Sequence, residues 1–97
     1  MPPVAVEMQA TQTKIGGESH VTIRLRNPSG HIAGFERVTI SAKRDGNEIL
    51  PILYDDNYIT LFPGETAEIH GTVPKGAKAR WVRLEGYNTP ANSVRIK

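Results

Sequence analysis

Apolar residues recur at every second position along most of this chain, and no stretch of useful length carries the three-to-four spacing of a helix. Val4, Val6 and Met8 alternate with Ala5, Glu7 and Gln9, which predicts a first strand over residues 4–10. Gly16-Gly17 predicts a tight turn. Val21, Ile23 and Leu25 then alternate with Thr22, Arg24 and Arg26, the pattern of a half-buried strand. Asn27-Pro28-Ser29-Gly30 ends it, because Pro28 has no amide to give to a ladder and Gly30 permits a turn. A third strand is predicted over 34–44, with Val38, Ile40 and Ala42 inward and Thr39, Ser41 and Lys43 outward.

The second half is more broken. Asp45-Gly46 is a hairpin signal. Residues 49–54 predict a short strand in which Pro51 marks an edge or a bend, and Asp55-Asp56-Asn57 predicts a turn. Tyr58 to Phe62 is another short strand, closed by Pro63-Gly64. Residues 66–73 set Ala67, Ile69, Gly71 and Val73 against Glu68, His70 and Thr72. After Pro74-Lys75-Gly76, residues 79–88 put Val82, Leu84 and Gly86 on one face and Trp81, Arg83, Glu85 and Tyr87 on the other. Thr89-Pro90 turns the chain into a last strand holding Val94 and Ile96. Seven to eight short antiparallel strands, separated by turns at intervals of about ten residues, predict an all-β, immunoglobulin-like sandwich. Tyr54, Ile59 and Leu61 are expected as buried anchors of its central stretch, with Asp56 and Asn57 bonded to backbone amides.

Composition narrows this picture. At 97 residues the chain is expected to form a single domain, 1–97. It has no cysteine, which excludes a disulfide framework, a thiol nucleophile and a cysteine metal site. Twelve Lys and Arg against ten Asp and Glu leave a net charge of +2, with the cations spread from Lys14 to Lys97. Nucleic-acid binders cluster their cations, so no nucleic-acid partner is expected. No membrane partner is expected either, since no apolar run approaches the ~20 residues of a spanning helix. The opening Met1-Pro2-Pro3 has neither the basic nor the apolar region of a signal peptide, and is expected for a domain cut from a longer chain.

Candidate chemistry is sparse. Asp55 and Asp56 are the adjacent acids, but neighbours on an extended chain point in opposite directions and cannot flank one glycosidic bond. His20, His31 and His70 lack partners at metal-ligand spacing, and His70 falls on the polar face of its strand as a solvated histidine. No Gly-x-Ser-x-Gly elbow is present, and Gly16-Gly17 opens no helix that could hold a phosphate. No catalytic residue, metal site or cofactor is expected. Trp81 remains, outward on its strand beside Arg83 and sharing a face with Tyr87. An outward tryptophan serves either a contact with another domain or a sugar-stacking platform, and the plain alternative is semi-core packing under a neighbouring strand.

Leu50-Pro51-Ile52-Leu53-Tyr54-Asp55-Asp56-Asn57-Tyr58-Ile59-Thr60-Leu61-Phe62-Pro63-Gly64-Glu65 resembles the C-terminal immunoglobulin-like domain of family-two glycoside hydrolases, in the exo-β-glucosaminidase and β-mannosidase branch. Pro51, Tyr54, Asp56, Asn57, Tyr58, Leu61, Pro63, Gly64 and Glu65 carry the likeness. Arg26-Asn27-Pro28-Ser29-Gly30 is similar to the family's turn before its third strand, and Val82-Arg83-Leu84-Glu85-Gly86-Tyr87-Asn88 to its penultimate strand. At Asp55 this chain departs from the serine common in the family. The resemblance covers roughly residues 19–88 and implies structural roles for Asp56, Asn57, Tyr58, Pro63 and Gly64. It implies an accessory sandwich whose partners are the catalytic barrel and the sandwich domains of a parent acting on β-mannosides, β-glucosaminides or related glycans. The catalytic glutamates of such a parent lie on that barrel, so none carries over. The parent is expected to be a bacterial enzyme exported to the periplasm or the medium. The alternatives are an independent carbohydrate-binding module using Trp81, or a generic adhesion-type sandwich.

Overall fold

A computed structural model describes residues 2–44, 46–49 and 52–97. Asp45 of the expected hairpin, Leu50, Pro51 and Met1 lie outside the described residues. Eight strands are described: β1 (Glu7–Ile15), β2 (Glu18–Arg26), β3 (Ala33–Ser41), β4 (Leu53–Tyr54), β5 (Ile59–Leu61), β6 (Thr66–Val73), β7 (Trp81–Glu85) and β8 (Asn92–Arg95). They form two antiparallel four-stranded sheets, β1-β2-β6-β4 and β5-β3-β7-β8. The expected all-β sandwich is borne out.

Alternation builds the core directly. Met8 and Ala10 of β1, Val21, Ile23 and Leu25 of β2, and Ile69 and Val73 of β6 are buried from one sheet. Val38 and Ile40 of β3, Leu61 of β5, and Val82 and Leu84 of β7 meet them from the other. Val4 and Val6 join the core ahead of β1. That strand then runs on to Ile15, farther than the apolar pattern reaches, because a two-residue turn locks its register against β2. Gly16 and Gly17 both take positive φ there, 59° and 87°, as such a turn requires.

Two expectations are corrected. Ala42 is exposed and Ser41 buried, because β3 ends at Ser41, whose hydroxyl donates to the Lys43 carbonyl at 2.6 Å and turns the chain. Among the described residues, the strand expected over 49–54 is reduced to Leu53–Tyr54, with Glu48 bridged to Ser41 before it. Asp55-Asp56-Asn57 turns the chain as expected, between sheets and not within one. β4 pairs with β6 and β5 with β3, so these residues carry the chain from one sheet to the other.

Candidate functional site

The crossover is held at both ends by its own side chains. Asp55 faces the first sheet, with Oδ1 accepting from the His70 amide at 2.6 Å and Oδ2 at 2.6 Å from His70 Nδ1. Asn57 faces the second. Its Oδ1 accepts from the Val38 amide at 3.0 Å, and its Nδ2 donates to the Val38 carbonyl at 3.2 Å, so the side chain stands in for a strand partner. Asp56 Oδ1 accepts from the Asn57 amide. The two aspartates therefore serve different elements, and Asp56 and Asn57 bond to backbone amides as expected.

Tyr54 ties the same region together. Its hydroxyl oxygen accepts from the Ile40 amide and its proton goes to Glu48 Oε2, both at 3.1 Å. Burial pushes this hydroxyl up to about 12; the Ile40 bond opposes the shift and the Glu48 charge adds to it. Tyr54 and Ile59 are half-buried against the core, and Leu61 is fully buried. The Pro63-Gly64 turn is present, with Gly64 at a φ of 75° and the Glu65 amide donating to the Phe62 carbonyl at 3.0 Å.

His70 is exposed, as expected, but it has partners. Glu68 Oε1 lies 3.0 Å from Nε2, opposite Asp55. The bonds to Asp55 and then Glu68 raise the imidazole above its ordinary value. Slight burial pushes the Asp55 carboxyl up, yet the His70 amide and ring outweigh it and hold it below the usual range. The Arg24 guanidinium, then His70, does the same for Glu68. The carboxylates contribute stability above roughly pH 4, lost as pH falls through their lowered values; the imidazole contributes below roughly pH 6.5, lost as pH rises through its raised value. The cluster thus acts most strongly between those limits. His70→Gln should lower the urea midpoint at pH 5.5 and leave it nearly unchanged at pH 8.5, a small effect because all these groups are exposed. An equal loss at both values would show that the imidazole charge plays no part.

The sequence reading missed Glu36. It lies on β3 in phase with Val38 and Ile40 and is fully buried, with both carboxylate oxygens outside hydrogen-bond geometry to any described group. Burial pushes its carboxyl above the usual range, and the nearby Thr89 hydroxyl pulls the other way. A raised, buried glutamate invites a catalytic reading. Yet a side chain with no exposed surface meets no substrate.

Trp81 points away from the core, as expected from Val82 and Leu84, but it is half-buried. The Arg44 and Arg95 guanidinium carbons lie 5.6 and 6.0 Å from its ring centroid. Arg83 lies two residues along, within 3.8 Å of Glu85. Tyr87 is not part of this site. β7 ends at Glu85, the Tyr87 amide turns to the Gly34 carbonyl, and the ring stands 74% exposed at the other end of the strand.

That end carries a feature absent from the pattern. β3 bulges between Ala33 and Glu36, and Phe35 in the bulge takes a φ of 51°. Tyr58, leading into β5, takes 54°. Left-handed backbone costs a side-chain-bearing residue roughly 1–2 kcal/mol. Both rings are nonetheless exposed, Phe35 at 65% and Tyr58 at 63%. Ile32, Phe62 and Tyr87 are also exposed around the bulge, where Asn88 binds the loop: its Oδ1 accepts from Gly34 N and its Nδ2 donates to the Ile32 carbonyl.

An immunoglobulin-like sandwich whose polar clusters bind its own backbone, and whose exposed features are aromatic and cationic, belongs to the class of accessory modules. Residues 1–89 match the family model described as the exo-β-D-glucosaminidase Ig-fold domain. The chain therefore belongs to that family, a non-catalytic domain of glycoside hydrolases, as its central stretch implied. It is 34% identical over 80 residues to an exo-β-D-glucosaminidase of Arthroderma benhamiae, covering 82% of this chain and 9% of that protein. A mannosylglycoprotein endo-β-mannosidase of Lilium longiflorum is 37% identical over 81 residues, covering 75% and 8%. The crystal structure of the Amycolatopsis orientalis exo-chitosanase CsxA superposes with a TM-score of 0.87 at 28% identity, over 97% of this chain and 12% of that one. The chain thus spans about a tenth of the length of these relatives.

Proposed function

We propose that this chain is one accessory domain of a larger β-glycoside hydrolase acting on glucosaminides or mannosides, and that it packs on neighbouring domains through the bulged corner of β3. The observation that carries this reading is the gathering of Ile32, Phe35, Tyr58, Phe62 and Tyr87, exposed together around two residues held in left-handed backbone. Among the described residues, Ile15 is the one other large apolar side chain so exposed. An exposed apolar patch marks a contact surface, and strain retained at its centre supports a role for the aimed rings. The catalytic barrel and sandwich domains of the parent are the partners this surface would meet. This reading moves the contact from Trp81 and Arg83 to Tyr87 and the bulge. Trp81 is a poor sugar platform because guanidinium groups already lie over its ring.

The Phe35→Ser/Tyr87→Ser variant should leave the isolated domain within about 0.5 kcal/mol of its original stability. In the full-length parent the same changes should split off a separate, earlier unfolding transition for this domain. A single, unshifted transition would show that the corner is not the contact. The isolated domain should hydrolyse no aryl β-glycoside, and turnover lost on Asp55→Asn or Asp56→Asn would overturn the accessory reading.

A further inference from the structure

A second surface lies away from the bulged corner. A groove of about 520 Å³ runs between the two edge strands β1 and β8. Met8 to Thr11 line one side, Ser93 to Arg95 and Lys97 the other, and Arg44 and Trp81 close it. Three cationic side chains line this groove, and no side-chain carboxylate does so among the described residues. Two of them, Arg44 and Arg95, share one indole ring and form no ion pair among the described residues. Elsewhere on the surface Arg24, Arg26 and Arg37 each meet a glutamate. Two guanidinium groups brought to one ring without an anion repel each other, and a bound carboxylate would relieve that repulsion through forked hydrogen bonds.

We propose that this groove is a docking site for an extended, acidic peptide segment, with Arg44 and Arg95 receiving its carboxylates against Trp81. Three observations favour a peptide over a sugar. The guanidinium groups occupy the ring against which a sugar would stack. The walls are edge strands, joined at one end where Lys97 pairs with Ala10 and Gln12, and beyond that join an edge is the usual acceptor of an added strand. A glucosamine polymer carries ammonium groups, which three cations would repel. This inference does not rest on the bulged-corner contact, which uses β3, β5 and the segment after β7.

The test titrates the 97-residue chain with a hexapeptide alternating valine and glutamate, with its valine–glutamine counterpart, and with galacturonate and glucosamine oligomers. Trp81 is the chain's one tryptophan, so its fluorescence reports the groove directly. The acidic peptide should shift that emission and the amide resonances of Met8 to Thr11 and Ser93 to Lys97. Arg44→Gln/Arg95→Gln should weaken binding by about tenfold or more. Both arginines are exposed, so the variant should keep its fold, and its circular dichroism checks this. The glutamine peptide and the glucosamine oligomers should give no response. No response to the acidic peptide at millimolar concentration overturns the proposal. So does equal binding of the glutamine peptide, full affinity in the double variant, or tighter binding of the galacturonate oligomer.

Discussion

Asn27→Ala should lower the stability of this domain by about 3 kcal/mol, far more than a turn residue usually costs. Asn27 is fully buried where β2 ends. Its Nδ2 donates to the carbonyls of His31 at 2.6 Å and Leu61 at 3.1 Å, and its Oδ1 accepts from the Ser29 amide and hydroxyl at 3.0 and 2.7 Å. Its backbone amide and carbonyl also pair with Glu65 and Gly64. Alanine would keep the backbone pairs but leave the Leu61 carbonyl, on the innermost residue of β5, without its donor. Desolvated groups left unpaired cost more than the net worth of a bond. Asn27→Asp is the companion test: it keeps an acceptor for Ser29, loses both donations and buries a charge, so it should be at least as damaging at pH 7. Urea midpoints for the two variants measure this. A loss below about 1 kcal/mol for Asn27→Ala would mean that water replaces the side chain and that β5 does not depend on it.

Gly86→Ala should be the second large loss, about 2–3 kcal/mol. A β-carbon at position 86 would overlap the Glu36 carboxylate, which is fully buried and would have to shift within the core. Double variants separate size from charge. Adding Glu36→Ala should recover part of the loss, with a coupling of about 1 kcal/mol or more, because the shorter side chain vacates the site. Adding Glu36→Gln should recover little, since the amide fills the same volume. If Gly86→Ala/Glu36→Gln recovers as much as Gly86→Ala/Glu36→Ala, the problem at position 86 is the acid and not the space.

Both residues show what alternation could and could not reveal. The long strands were legible because each buries one face, so β2, β6 and the inward sets of β3 and β7 follow the period of two. Glu36 was legible by the same rule, sharing parity with Val38 and Ile40, but a charged side chain was not counted with the inward set. Tyr87 was misplaced because parity was carried past Glu85, where β7 stops. The sheet change at Asp55-Asp56-Asn57 left no mark in the pattern. A chain passing from one sheet to another uses the same turn residues as a hairpin. The roles of Asn27 and Asn88 were hidden for a related reason. Asparagine marks turns in sequence, whereas here its amide copies the donor and acceptor of a backbone unit and pairs with strands far along the chain. Positive φ at Phe35 and Tyr58 had no sequence sign, since neither residue type favours it.

The crossover between β4 and β5 also bears on synthesis. In chain order the strands fall to the first sheet, the first, the second, the first, the second, the first, and then the second twice. Neither sheet is therefore a contiguous piece of chain that could mature by itself on the ribosome. β2 waits for β6, whose Val73 meets Ser19, and β3 waits for β7, whose Glu85 meets Arg37. Such distant closures slow folding. A nascent chain halted after Val73 would hold the first sheet complete but its apolar face uncovered along the missing β7 and β8. That interval, when about three-quarters of the domain has been made and its core is still open, is when it most needs shielding from other unfolded chains.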